Sequence, residues 1–326
     1  MSGLEPHVAD VIRTSNARIV IAGAGGWIGL ATLDLLHAAL GDQFEARVHA
    51  FGSNARTLTL RTGMTIAQRP LADLALLPLA PTILLHLAFL TKDRAEAMDE
   101  AAYRAANRSI DDQIVAALDA IGTQAIFVAS SGAAASTSPA PAMRLYGSLK
   151  REQESRFADW ADRANQRAVI TRIFNISGPY INKQGSYALA AFILDALAGG
   201  PIRIRASHPV IRSYVSIREL MSLVFALLLD DSEDITRFDS GGEAMELQAV
   251  AQAVADQFVA IAIARPPLDP AMVDDYTGNG GTYSALLSRH RLVPVPFARQ
   301  VEETIDYLSF SGKRQDSDRL ALKRPA

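Results

Sequence analysis

Tyr146 and Lys150 stand four residues apart in a stretch, RLYGSLKREQE, that reads as helix. That spacing places both side chains on one face. A phenol of pKa ~10 is a poor acid or base at neutral pH until a neighbouring cation stabilises its phenolate, and Lys150 supplies the cation. Ser131 closes the apolar run Ala125–Ala129 plus Ser130, a strand pattern that leaves its hydroxyl at a carboxyl end, where it can hydrogen-bond a reacting oxygen. Ser131, Tyr146 and Lys150 thus read as a proton-transfer set with Tyr146 as acid/base. On its own a YxxxK pair is more often an exposed face of an amphipathic helix. What changes the weighing here is the order in which it follows a glycine-rich turn.

That turn lies in ARIVIAGAGGWIGL, residues 17–30. Arg18–Ala22 is a short β-branched run, a buried strand. Gly23, Gly25, Gly26 and Gly29 follow, and helical periodicity begins around Trp27. Strand, glycine turn and helix start make the context of a dinucleotide fingerprint. Gly23 serves the tight turn, Gly25 or Gly26 the close approach of a pyrophosphate, and Gly29 the packing of helix on strand. The helix start at Trp27 and Ile28 offers N–H groups to the phosphates. At the end of the second strand, Ala46–Phe51, the fingerprint places an acid for the adenosine ribose. This chain has Phe51, Gly52 and Ser53 there, with Asn54 and Arg56 beyond. The absence of an acid favours a 2′-phosphate held by Ser53, Asn54 and Arg56, hence NADP with NAD as the other choice.

The 326 residues suffice for one large α/β domain or two smaller ones. Hydrophobic residues make up 49% and charged residues 21%, the balance of an ordinary globular protein. A net charge of −3 argues against non-specific nucleic-acid binding. The absence of cysteine removes disulfide and thiolate chemistry and fits a cytoplasmic setting. Residues 1–16 carry acidic groups and no apolar core, so they read as a short leading helix or arm rather than a signal peptide. The most apolar region, Leu71–Leu90, is interrupted by Asp73, Pro78, Pro81 and His86 and makes two buried elements, not a membrane span. The six histidines show no ligand spacing, and no metal is expected.

Strand and helix patterns alternate from residue 17 to about 180: strands at Thr82–Leu87, Ala125–Ala129 and Ala168–Asn175, and a long helical stretch at Ala97–Ile121. This predicts an α/β fold with a doubly wound parallel sheet covered on both faces. Beyond Pro179 the alternation loosens. Helices are expected at Tyr187–Leu197, Ile217–Leu229 (with Ser216 as N-cap), Glu246–Phe258 and Ala298–Phe310, and a strand at Ile202–Arg205. The expected organisation is an arm at 1–16, a dinucleotide domain at 17–180, a substrate lobe drawn mainly from 181–310, and a mobile tail at 311–326.

At this point the chain, over roughly residues 17–310, resembles the extended short-chain dehydrogenase/reductase superfamily, the NAD-dependent epimerase/dehydratase group. Gly23, Gly26 and Gly29 match its GxxGxxG; His86-Leu87-Ala88 matches the strand-end motif beside the nicotinamide ribose. Asn107 falls at its helix Asn, Ser130-Ser131 at its serine strand end, and Tyr146 and Lys150 at its catalytic pair, which also binds the cofactor. The segments from Arg172 through Asn175 to Gly178-Pro179, and Arg212-Ser-Tyr-Val215, look like its substrate-binding motifs. The resemblance implies a Rossmann-type domain with a smaller C-terminal lobe, and ligands at the carboxyl ends of the strands with the sugar between the lobes. It also implies that Ser131, Asn175 and Arg212 bind a nucleotide-sugar, Arg212 through its pyrophosphate. Two helices, Ala97–Ile121 and Arg144–Asn165, resemble the pair that builds a homodimer in this superfamily, their apolar surface otherwise facing water.

In 4,6-dehydratases of the superfamily, Asp-Glu follows the strand-end hydroxyl. Here Gly132, Ala133 and Ala134 follow Ser131, and none can move a proton. The expectation is therefore hydride transfer at a sugar carbon, and the missing acid near Gly52 tips it towards NADP(H)-dependent reduction of a 4-keto-sugar. The alternative is a nucleotide-sugar 4-epimerase. A rival of another class, a non-catalytic dinucleotide-binding sensor, should lack one of Ser131, Tyr146 or Lys150, and this chain keeps all three.

Overall fold

The computed structural model describes residues 3–230 and 235–321, the stretch 311–321 as helix backbone. In chain order the first half runs α1 (Pro6–Thr14), β1 (Arg18–Ala22), α2 (Trp27–Leu40), α3 (Phe44–Arg47), β2 (Val48–Gly52), β3 (Arg56–Thr59), β4 (Thr65–Pro70) and β5 (Thr82–His86). It continues through α4 (Lys92–Ala97), α5 (Glu100–Leu118), β6 (Thr123–Ser131), α6 (Pro141–Ala164), β7 (Arg167–Ile173) and β8 (Asn175–Ser177). Then follow α7 (Ala188–Leu197), β9 (Ile202–Arg203), β10 (Val210–Ser216), α8 (Ile217–Leu228), β11 (Ile235–Asp239) and β12 (Glu243–Glu246). The chain closes with α9 (Leu247–Ala255), β13 (Ile263–Ala264), β14 (Asp274–Tyr276), α10 (Gly280–Arg289) and α11 (Phe297–Ala321).

An eight-stranded sheet has the order β11-β7-β6-β5-β1-β2-β4-β3, parallel throughout except for the β3–β4 hairpin at its edge. Every residue of β1 and β5 is buried, as both-face coverage requires. Val20, Leu84, Ile126, Val128 and Ile170 pack on one face against Ile114 and Leu118 of α5 and Phe157 and Trp160 of α6. The chain divides into two units. The larger comprises the chain through Phe174 together with Arg218–Gly241 and Gly278–Val293. The smaller takes Asn175–Ile217, Gly242–Thr277 and the chain from Pro294; its centre is β10, which pairs with β8, β12 and β14.

Several elements differ from the sequence reading. The stretch read as a helix from Ala97 to Ile121 is α5, which starts at Glu100, with Asp99 as N-cap accepting from the N–H groups of Ala101 and Ala102, and ends at Leu118; the short α4 before it, ending at Ala97, was not expected. Ala168–Asn175 is also split, because Asn175 leaves the large sheet and pairs with Tyr214 in the smaller unit. Ser216 does not cap α8: its Oγ is buried without a hydrogen-bond partner among the described residues. The backbone of α11 continues as helix to Ala321, past Phe310, so the expected tail begins inside a helix; 322–326 lie outside the described residues. Apolar side chains of α5 and α6, among them Ile114, Leu118, Phe157 and Trp160, pack on the sheet, and Arg108–Glu152 (2.8 Å) and Arg156–Asp112 (2.5 Å) link exposed positions of the two helices within the chain. No helix among the described residues is long and apolar enough to cross a membrane.

Candidate active site

The carboxyl ends of β1, β5 and β6 carry the residues singled out from the sequence. Gly23 turns out of β1 at φ +91°, a left-handed conformation that favours glycine. A side chain there would also strike the β5 exit, its Cβ 2.6 Å from the Ala88 nitrogen and 2.7 Å from the Leu87 carbonyl carbon. Gly29 is equally confined: a Cβ would lie 2.5 Å from the carbonyl oxygens of both Gly23 and Ala24. Gly26 is the N-cap of α2 and supplies no side-chain cap, so the amides of the first turn at Trp27 and Ile28 form a helix N-terminus of the kind that receives phosphate. These residues fit a dinucleotide pyrophosphate: a tight turn with no side chains at positions 23, 25, 26 and 29, beneath a helix start.

Beyond β5, Leu87 donates its N–H to Ala22 O at 2.8 Å, and Asn107 on α5 accepts from the Leu90 N–H at 2.8 Å. These bonds fix the stretch containing Ala88 and Phe89. Tyr146 and Lys150 meet on Phe89: the Tyr146 ring stands edge-on to it at 5.7 Å, and Lys150 Nζ lies 3.8 Å from its centroid. Helix α6 approaches the end of β6 closely because Gly147, next to Tyr146, rests on the Ala133 carbonyl, where a Cβ would collide. Arg151 holds the same turn from further along the helix, donating to Ala134 O at 2.7 Å. The turn Gly132–Ala134 is buried, and Ser131 Oγ at its start accepts from the Ala133 N–H at 3.2 Å.

Lys150 is buried, and its Nζ donates to Ala129 O (2.7 Å) and Gln153 Oε1 (3.0 Å). Burial pushes its ammonium down to about 7, against the opposing pull of the Asp111 and Glu154 carboxylates. Behind it lies a network that the sequence reading missed. Gln153 Nε2 donates to Asp111 Oδ1 at 2.8 Å, and the same oxygen lies 2.8 Å from His86 Nε2. His86 is fully buried against Phe157, and burial lowers its pKa despite Asp111. One residue beyond Gln153, Glu154 takes hydrogen bonds from Ser130 and, in bidentate fashion, from Arg172 at 2.9 and 2.8 Å. Burial raises the Glu154 pKa, but those bonds outweigh it and hold the carboxyl below its ordinary value. Gln153 and Glu154 follow Lys150 at helix spacings of three and four, the one signal that pointed to them.

Ser53, Asn54 and Arg56 lie after β2 and are all exposed. The structure carries only Arg56 to the glycine turn, where its guanidinium covers Gly25. Asn175 and Arg212 come together in the smaller unit, lining a cavity of about 160 Å³ with Tyr187, Tyr214 and Leu247. Asn175 Nδ2 donates to Ser213 O at 3.1 Å. The Arg212 guanidinium, expected to meet a pyrophosphate, is held by Asp274 (2.6 and 3.2 Å) and by the Ile211 and Asp274 carbonyls. Among the described residues no group of three or more His, Cys, Asp or Glu side chains is placed to hold a metal ion.

Residues 19–237 match the model of the NAD dependent epimerase/dehydratase family. The chain belongs to that family. No curated protein matches the sequence. Among solved structures, this family member is similar to UDP-N-acetylglucosamine 4-epimerase from Methanobrevibacter ruminantium M1, in complex with UDP-N-acetylmuramic acid. The identity is 17%, with 90% of this chain and 99% of that one covered and a TM-score of 0.73. It is similar to the UDP-glucose 4-epimerase of Thermus thermophilus in complex with NAD, at 20% identity, 90% and 99% coverage and TM-score 0.64. A third, TunA, is an NAD-dependent NDP-hexosamine 5,6-dehydratase involved in tunicamycin biosynthesis, at 16% identity, 90% and 97% coverage and TM-score 0.65. At these identities the likeness is one of fold.

Proposed function

We propose that this family member is an NAD-dependent nucleotide-sugar epimerase acting at a sugar hydroxyl-bearing carbon. The observation that carries the reading is the meeting of Tyr146 and Lys150 on Phe89, at the strand ends beside the glycine cradle. A bound nicotinamide would accept a hydride from the sugar and return it. Tyr146 takes the hydroxyl proton as the carbonyl forms and gives it back on re-reduction; Lys150 favours the phenolate in between. Ser131 supplies a hydroxyl to the reacting oxygen. Asn175 and Arg212 hold the nucleotide diphosphate, Arg212 exchanging Asp274 for phosphate oxygens. The buried turn Gly132–Ala134 offers no second acid or base for dehydration.

This departs from the keto-sugar reductase expectation, because the solved structures of like fold are described as epimerases and a dehydratase. Net reduction with NADPH stays as the second reading on one observation, the exposed Arg56 cation at Gly25. The deciding experiment is stoichiometric. UDP-glucose, UDP-galactose and their N-acetylated forms are incubated with the purified chain and NAD, and products are followed by NMR alongside nicotinamide absorbance. Interconversion without net absorbance change is expected. Stoichiometric loss of NADPH with a nucleotide-linked 4-keto-6-deoxy sugar would establish the reductase instead, and no turnover with any of them would count against both.

A further inference from the structure

The end of β2 lacks the acid that usually receives the adenosine ribose, and the space for it is already filled. Gln68 projects from β4, which runs parallel to β2 with Ala50 opposite Gln68 and Gly52 opposite Pro70. Its carboxamide lies across Gly52: a Cβ there would be 2.5 Å from Gln68 Cδ and 2.7 Å from Oε1. No side chain at position 52 can coexist with Gln68 as it stands. Gln68 is 3% exposed, and its Nε2 donates to Asn54 O at 2.8 Å. That bond fixes the amide, since the reverse orientation would set two carbonyl oxygens against each other. Oε1 therefore faces away from Asn54. It is buried without a hydrogen-bond partner among the described residues, and it lies 2.9 Å from where a Cβ on Gly25 would sit. Arg56 Cζ is 2.6 Å from the same point, and this guanidinium is exposed. An unmade buried acceptor against a phosphate-binding turn is costly until a donor arrives.

We propose that Gln68 replaces the missing acid: its carboxamide oxygen accepts the adenosine ribose hydroxyls of a nicotinamide dinucleotide, with Arg56 admitting a 2′-phosphate at the same place. The inference rests on the dinucleotide reading above. A carboxylate in this position accepts the ribose hydroxyl and repels a 2′-phosphate, whereas a carboxamide accepts without the repulsion. The protein accordingly binds both NAD and NADP, with affinities within about tenfold of each other.

The test is calorimetric titration of NAD and NADP into the wild-type chain, Gln68→Leu, Gln68→Glu and Arg56→Ala, with melting curves to confirm folding. Gln68→Leu should weaken NAD by about tenfold. Gln68→Glu should shift the ratio towards NAD by about tenfold or more, and Arg56→Ala should weaken NADP by about tenfold more than NAD. If Gln68→Glu does not fold, the Gln68→Leu titration decides alone. Unchanged NAD affinity in a folded Gln68→Leu chain, or an unchanged ratio in a folded Gln68→Glu chain, overturns the inference while leaving the dinucleotide reading intact. Failure of the wild-type chain to bind either dinucleotide overturns both.

Discussion

Lys150 is an ammonium group held by a carbonyl, an amide oxygen and an aromatic face, with no carboxylate among its hydrogen-bond partners in the described residues. Its pKa falls from 10.5 to about 7 on burial, so between those values the unfolded chain binds more protons than the folded one. Stability then rises with pH across that window, and the cost of burying the charge is fully present below about pH 7. The shift bounds that cost at about 5 kcal/mol. Lys150→Met removes the titration. Its melting temperature relative to the wild-type chain should therefore be most favourable near about pH 6 and decline steadily towards about pH 10. A difference that stays flat with pH would show that the ammonium is not desolvated as the structure has it. Tyr146→Phe keeps the edge-on contact with Phe89 and removes only the oxygen proposed to carry the proton. Turnover should drop by ~10²–10⁴-fold while dinucleotide binding, followed by calorimetry, stays within about twofold. Equal losses of both would make Tyr146 a packing residue.

At the scale of elements, the active-site arrangement depends on how closely α6 lies on the turn after β6. Gly147 allows the approach, and Arg151 clasps the far side of the same turn through Ala134 O. Gly147→Ala places a methyl on the Ala133 carbonyl and should push the helix away, costing about 1–3 kcal/mol by overpacking and lowering turnover beyond the loss in stability. Thermal melts and kinetics on the one variant check both; wild-type behaviour would mean the turn yields freely. Local pattern was enough to find these pieces: β1 with its glycines, β6 with Ser131, and α6 with its Tyr–Lys spacing each declare themselves within a dozen residues. What local pattern missed was set at a distance. The hairpin Arg56–Thr59 and Thr65–Pro70 is short and largely polar, so neither strand shows an apolar run. The importance of Gln68 depends on the β2–β4 register, and that of Arg212 on an aspartate 62 residues away. Asp99 before Glu100 was a legible cap, and reading it would have moved the expected start of α5 from Ala97 to Glu100.

For the whole molecule, the consequential departure from the sequence reading is that the dinucleotide-type unit does not end near residue 180. It takes back Arg218–Gly241 and Gly278–Val293. Strand β11 pairs with β7 in parallel from Ile235 opposite Ala168 to Asp239 opposite Arg172, a pairing that no window along the chain could reveal. The returning segments are anchored by polar bonds as well as by packing. Arg167 donates to Leu228 O at 2.7 Å, and the buried Tyr283 hydroxyl on α10 bonds Glu219 of α8 at 2.8 Å while its ring packs beside Phe238. A fragment comprising residues 1–180 would therefore expose β7 as an unpaired edge beside Ala168, Val169 and Ile170, which are buried in the full chain, and such an edge invites association. The fragment should bind a hydrophobic dye, associate in solution and lack a cooperative thermal transition, whereas the full chain should melt cooperatively. A monomeric fragment that melts within a few degrees of the full chain would show that β11, α8 and α10 only decorate a sheet already complete at β7.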